Sequence, residues 1–219
     1  MKKSLTTFTL MLLVAFTLAS CKLATIRPLD PKTGKAMLSE EEAQKAFNAE
    51  TYVAERWEDP LLTTVQSSAI EMSTLLSELT ANSAAASEKY GRQLGSGPFN
   101  FSVKGQGIVT EVDTSSRAGL ARIDLEPADG KADVAIAVGP VIKGTGLRDA
   151  MPFINFNQFV NQLEYADVSK KLHERVMKDV IGSVDLTTLQ GKTVSFAGAF
   201  AFKDVESIAV TPVELKVVE

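Results

Sequence analysis

The spacing of apolar residues changes once along this chain, and that change governs what the chain can fold into. Leu61, Leu62, Val65, Ala69, Met72, Leu75, Leu76 and Leu79 fall on one helical stripe, with Ser, Thr, Gln and Glu opposite. From Phe99 the period drops to two: Phe99, Phe101 and Val103 alternate with polar residues. The stretch GSGPFNF, a Gly/Pro turn, separates the two regimes. The chain is therefore predicted to be α+β, with a helical segment at 39–94 and a β-rich domain at 95–219.

Ser39-Glu-Glu-Glu42 matches a capping box and opens the helical segment. Ala43, Ala46, Phe47, Val53 and Trp57 supply its buried positions, and Asp59-Pro60 is a second start signal, with proline at the first helical position. Gly91 is the expected stop.

In the β-rich part, Gly105 and Gly107 mark a bend, after which the apolar phase moves to Ile108 and Val112. Ala121, Ile123 and Leu125 alternate with Arg122, Asp124 and Glu126 in a second strand, and Asp129-Gly130 predicts a tight hairpin into Val134, Ile136 and Val138. Val168, Leu172, Val176 and Val180 then describe a helix stopped at Gly182. A fourth strand carries Val194, Phe196, Phe200 and Phe202, and a fifth runs from Ile208 to Val218 with a change of phase at Pro212. The order β-β-β-α-β-β is that of an OB-fold, a five-stranded Greek-key barrel. A bent first strand suits a small barrel that must turn a corner; a plain sandwich is the competing architecture.

Ahead of these regions, Lys2 and Lys3 precede an apolar run from Leu5 to Leu18 broken only by threonines. Crossing a bilayer takes roughly 20 residues, so the run reads as a secretory signal at 1–20. The single cysteine follows it, and Leu18-Ala19-Ser20-Cys21 resembles the lipobox of bacterial lipoproteins. That resemblance implies a diacylglyceryl group on Cys21, cleavage before it and an acylated amino terminus, an anchor of more than one chain. Lys22 stands where an aspartate would signal inner-membrane retention, which leans towards the outer membrane. Residues 21–38 read as a tether that could reach roughly 55–60 Å when extended.

Loss of residues 1–20 removes Lys2 and Lys3. Basic residues fall from 23 to 21 against 27 acidic ones, and the net charge moves from -4 to -6. An acidic surface repels phosphate backbones, so nucleic acid is not an expected partner. With Cys21 committed to lipid and one histidine in the chain, neither a disulfide nor a Cys/His metal site is expected, and no cofactor is implied.

KYGRQLGSGPFNFSVKGQG, DTSSRAG and KADVAIAVGPVIKGTGLRDAMPFINFNQFVNQLEYADV, together with the lipobox, resemble the predicted periplasmic lipoproteins of unknown function. The resemblance covers most of the mature chain and carries no established activity. Members are often encoded beside sugar-uptake ABC transporter components, which implies an accessory role in that uptake.

Five residues stand out as candidate ligand contacts. Arg148, with Asn155, Asn157 and Asn161, can bind a carboxylate or sugar hydroxyls through directional hydrogen bonds, or can brace an irregular connection instead. Arg117 lies between strands one and two, where OB-folds place ligand contacts. Phe153, Phe156 and Phe159, at three-residue spacing, could stack on a ligand, but read more readily as a plug beneath the barrel mouth. His173 has no partner in a nucleophilic frame and reads as a half-buried helix histidine. The acids from Asp124 to Asp133 miss the calcium-loop spacing, since Ala128 takes the fifth position and the glycine comes one residue late. Lys143-Gly-Thr-Gly146 lacks the phosphate-loop frame.

The expectation is a non-enzymatic, lipid-anchored module of the cell envelope that presents a barrel to a protein or small ligand. The alternative is an envelope hydrolase acting on carbohydrate, which needs two carboxyl groups about 5–10 Å apart across a pocket.

Overall fold

Asn48 opens the first helix, α1 (Ala49–Arg56): its side-chain oxygen accepts from the Thr51 amide at 3.0 Å, satisfying one free donor of the first turn. A wide turn follows, interrupted at Asp59, which is extended (φ -139°, ψ 123°) as the residue before a proline must be. The second helix, α2 (Thr63–Ser68), starts beyond it. These and all later elements belong to a computed structural model that describes Leu29 and residues 46–218. The signal segment, Cys21, the tether apart from Leu29, and the Ser39–Glu42 cap lie outside the described residues. Asn48 to Glu219 form a single unit, so the helical segment and the β-rich part share one body.

The apolar stripe expected to be one helix is two. At Ala69 the chain turns extended, and β1 (Ile70–Glu71) pairs in parallel with Val103 and Lys104 before α3 (Met72–Tyr90) begins. Leu61, Val65, Met72, Leu75 and Leu79 are buried as the stripe requires. The break keeps the same face inward, so side-chain spacing alone does not reveal it. A bend at Asn82 divides α3, and the Asn82 side chain accepts from the Ala85 amide to restart the helix. Gly91 ends it because a Cβ there would lie 2.7 Å from the Ser87 carbonyl and 2.8 Å from the Phe99 ring.

The remaining elements are β2 (Arg92–Gln93), β3 (Phe99–Asp113), β4 (Leu120–Leu125), β5 (Val134–Ala137), α4 (Gly146–Ala150), α5 (Gln162–Arg175), β6 (Thr193–Ala201) and β7 (Ala209–Val217). Beyond Arg175, helical turns widen and then tighten as far as Ser183, one residue past the expected glycine stop. The long β3 serves two neighbours in turn. Asn100 to Ile108 pair with β6, and Gly107 to Asp113 pair with β4. At the handover a Cβ on Gly107 would approach the Asp124 carbonyl to 2.3 Å, so only glycine lets the two backbones meet. β1 and β2 cover the other edge of the first half of β3.

β4 pairs with β5 and β6 with β7, both antiparallel, while β5 and β7 run parallel and close the ring. The cyclic order β3-β4-β5-β7-β6 is the OB-fold barrel, not a sandwich. The phase change at Pro212 is a bulge: Gly198 faces Pro212 while Ala197 faces Glu214, so Val213 is extra.

Two expectations need correction. Asp129-Gly130 does not make a two-residue hairpin. Residues 126–133 form a longer loop in which the buried Asp124 carboxylate accepts from the Asp129 and Gly130 amides, and Asp133 accepts from Leu125. An inward carboxylate, not the turn dipeptide, organises this connection. Phe156 and Phe159 do not plug the barrel either, and Phe153 is only half-buried. Phe159 packs with Tyr52 and Tyr165, and Phe156 stays 45 % exposed. The short α4 lies on β3 and β6, with Leu147 fully buried. It gets that close because Gly146 brings its backbone against Phe200 and Ala201. Phe101 and Phe200 stack at 5.3 Å in the core, where Met72 and Leu75 of α3 are also fully buried.

Candidate functional site

All five residues of α4 are buried, and two of them are charged. Arg148 Nε donates to Asp149 Oδ1 at 2.7 Å, an ion pair with side chains only 9 % and 13 % exposed. Such a pair survives burial only if its remaining lone pairs and protons are also satisfied. Here Tyr165 of α5 donates its hydroxyl to Asp149 Oδ1 at 2.9 Å, and Thr145 donates to Oδ2. Arg148 Nη1 donates to the Tyr165 carbonyl at 3.0 Å, and the guanidinium stacks 3.5 Å from the centre of the Tyr165 ring. Burial, and then the negative Asp149, push the Tyr165 hydroxyl above its ordinary pKa.

Arg92 of β2 extends the network. It donates to the Asp149 backbone carbonyl and, at 2.8 Å, to Asn155 Oδ1, while Asn155 Nδ2 donates to the Pro152 carbonyl at 3.1 Å. Three pieces of chain far apart in sequence are thus tied at one point.

Over this network opens a cleft of about 670 Å³. Leu94 and Gly95 of the turn before β3 line it, together with Asn157 and Gln162. Tyr165 and Phe156, edge to face at 5.6 Å, supply aromatic surface. Asn157 and Gln162 are exposed, and among the described residues their amides bond to no protein group. The one carboxylate of the cleft, Asp149, is fully engaged, so this cleft does not assemble the paired acids of a glycosidase.

Three of the five residues singled out in the sequence meet here: Arg148, Asn155 and Asn157. The first two brace the wall, and the third faces the opening. The other two do not join them. Asn161 is the N-cap of α5, accepting from the Leu163 and Glu164 amides at 2.9 and 3.0 Å. Arg117 is exposed in the β3–β4 loop, where its carbonyl accepts from the Val141 amide. Arg92, Gln162 and Tyr165 were not singled out. Arg92 lies in a two-residue strand with no motif around it, and only the start of α5, one turn after the asparagine cluster, points to the other two.

The model of a family described as predicted periplasmic lipoprotein (DUF2291) matches residues 11–216. The chain belongs to this family. Membership supports an envelope location and a membrane anchor for a protein of unknown function. An OB-fold protein of Thermotoga maritima superposes with a TM-score of 0.65 at 18 % identity, over 79 % of this chain and 99 % of its own. At that identity the likeness carries the fold alone. No curated protein matches the sequence. Among the described residues, no helix is long and apolar enough to cross a membrane, and no three His, Cys, Asp or Glu side chains group to hold a metal ion.

Proposed function

We propose that this family member is a non-enzymatic binding module, held in the envelope by lipid on Cys21, whose cleft takes a small polyhydroxylated ligand. The observation that carries the reading is the pair of unengaged amides, Asn157 and Gln162, standing over an aromatic surface beside a rigid, fully bonded wall. Carboxamides offer donors and acceptors together, which suits hydroxyl groups that are both. The braced Arg148–Asp149 pair fixes the wall of the cleft before any ligand arrives, which lowers the ordering cost of binding against it. An accessory role in sugar uptake follows as the fuller form of this reading, with the outer membrane as the site favoured by Lys22.

The test is calorimetric titration of the solubilised lipoprotein with a panel of neutral mono- and disaccharides. Saturable heat with at least one sugar is expected, reduced about tenfold or more by the double variant Asn157→Ala/Gln162→Ala, whose folding should be intact. A panel with no saturable heat would count against the reading, as would binding indifferent to the double variant. Cys21→Ser, followed by membrane fractionation, checks the anchor: the variant should leave the membrane fraction.

A further inference from the structure

A second hollow lies on the other flank of α4. It is a groove of about 740 Å³ between the segment from Pro140 to Thr145 and one face of α5. Its surface is mainly carbon, from Val141, Ile142, Ala166 and Met177 among others. Two polar groups interrupt it, one helical turn apart. Ser169 is only 5 % exposed, and its hydroxyl has no hydrogen-bond partner. The Nε2 atom of His173 is sealed from solvent and likewise has none.

Both groups are costly to leave unpaired in such a place. A helical serine ordinarily bonds back to the carbonyl four residues earlier. For Ser169 that carbonyl belongs to Tyr165, and Arg148 Nη1 already donates to it. His173 feels the same guanidinium. Burial first, and the Arg148 charge second, hold its imidazole below its ordinary pKa, so it meets a ligand as a neutral ring. Lys170 and Lys178 line the groove with a single acid, Glu174. The Thr145 hydroxyl is already spent as a donor on Asp149. What the groove offers is an apolar trough, two uncommitted hydrogen-bonding groups just beneath its inner wall, and a positive balance of charge. Its one acid, Glu174, is already paired with Lys171 at 2.8 Å, which leaves little to recognise a cation.

We propose that this groove is a second ligand site, for a small carboxylic acid with an apolar tail. The tail lies against Val141, Ile142 and Met177, and the carboxylate accepts from Ser169 Oγ and His173 Nε2 once side-chain rotation brings these covered atoms to the groove surface. The site is distinct from the Asn157–Gln162 cleft and needs none of that cleft's free amides.

His173 is the only histidine in the chain, which makes the test direct. The full lipoprotein, labelled with ¹⁵N at histidine and solubilised in detergent, gives one imidazole spectrum. It would be titrated with octanoate, and in parallel arms with octanol and octylamine. A saturable shift of the Nε2 resonance with octanoate, absent or far weaker with the other two, is the expected result. Ser169→Ala should weaken octanoate about three- to tenfold, the loss of one hydrogen bond, without weakening the fold. Ala166→Phe, which fills the trough, should abolish the shift, while Asn157→Ala should leave it unchanged. If Nε2 fails to respond, or responds equally and without saturation to all three molecules, the pair merely holds water and the proposal falls. An octanoate response that survives both groove variants places the binding elsewhere and overturns it equally.

Discussion

Replacing Arg148 by methionine tests whether the buried ion pair is the member that holds β2, α4 and α5 in register with one another. The substitution keeps most of the stem and deletes the guanidinium. Asp149 loses its 2.7 Å partner, the Tyr165 carbonyl loses its donor, and the 3.5 Å stacking on the Tyr165 ring disappears. Removing one partner of a buried pair costs about 3–5 kcal/mol, because the other charge is stranded. Asp149 keeps two hydroxyl donors, from Thr145 and Tyr165, which places the expected cost near the low end, about 3 kcal/mol. For a domain of this size each kcal/mol lowers Tm by roughly 2–4 °C, so a fall of roughly 6–12 °C is expected. Urea unfolding followed by tryptophan fluorescence measures it directly, since the single tryptophan, Trp57, is buried. Adding Asp149→Asn removes the stranded charge while keeping an acceptor for Tyr165. The double variant should therefore be more stable than the sum of the two single losses by about 1–3 kcal/mol. A loss under about 1 kcal/mol for Arg148→Met, or strict additivity in the cycle, would refute the reasoning.

Three further outcomes follow from other parts of the fold. Gly107→Ala drives a methyl group against the Asp124 carbonyl and should cost about 1–3 kcal/mol in chemical denaturation, with the damage seen at the β3–β4 pairing in hydrogen exchange. Asp124→Ala removes the acceptor of two loop amides and should cost about 1–3 kcal/mol, with amide exchange accelerated at Asp129 and Gly130 first. The third concerns pH. His173 has a folded pKa below its unfolded value near 6.5, so the unfolded chain binds its proton first as pH falls. Its contribution to stability is complete above that value and is lost as pH drops through the folded pKa. His173→Gln should flatten the pH dependence of Tm on the acid side of neutrality relative to the parent protein.

The barrel is legible because most of its strands alternate apolar and polar residues. The corner at Pro212 is written in the sequence as a change of period, whereas the expected shift to Ile108 does not occur: Val109 is buried, Ile108 is 37 % exposed, and the register slips only between Val109 and Glu111. The β1 interruption was hidden, since Ile70 and Glu71 use backbone groups to pair with β3 and leave the helical stripe of buried side chains intact. The cleft was half legible. Arg148, Asn155 and Asn157 stand out as polar residues within an otherwise apolar connection, and the fold brings them together. Which of them braces and which faces outward depends on Arg92 and Tyr165, partners 63 residues before Asn155 and 17 after Arg148. Sequence spacing has no handle on such pairings. Asn161 carried the same chemical signature but stands one residue before a helix, and capping took it.

The ring of strands is fastened unevenly. β3 and β6 are laced together over nine residue positions, whereas β5 meets β7 at two, Ala135 with Ala209 and Ile136 with Val210. A hoop stitched so lightly at one place has a clasp there, and amide exchange along it is expected to outpace that of the β3–β6 seam. For a domain tethered to a membrane, the β5–β7 line is then where the cylinder is expected to open first, the remaining strands staying joined as a sheet.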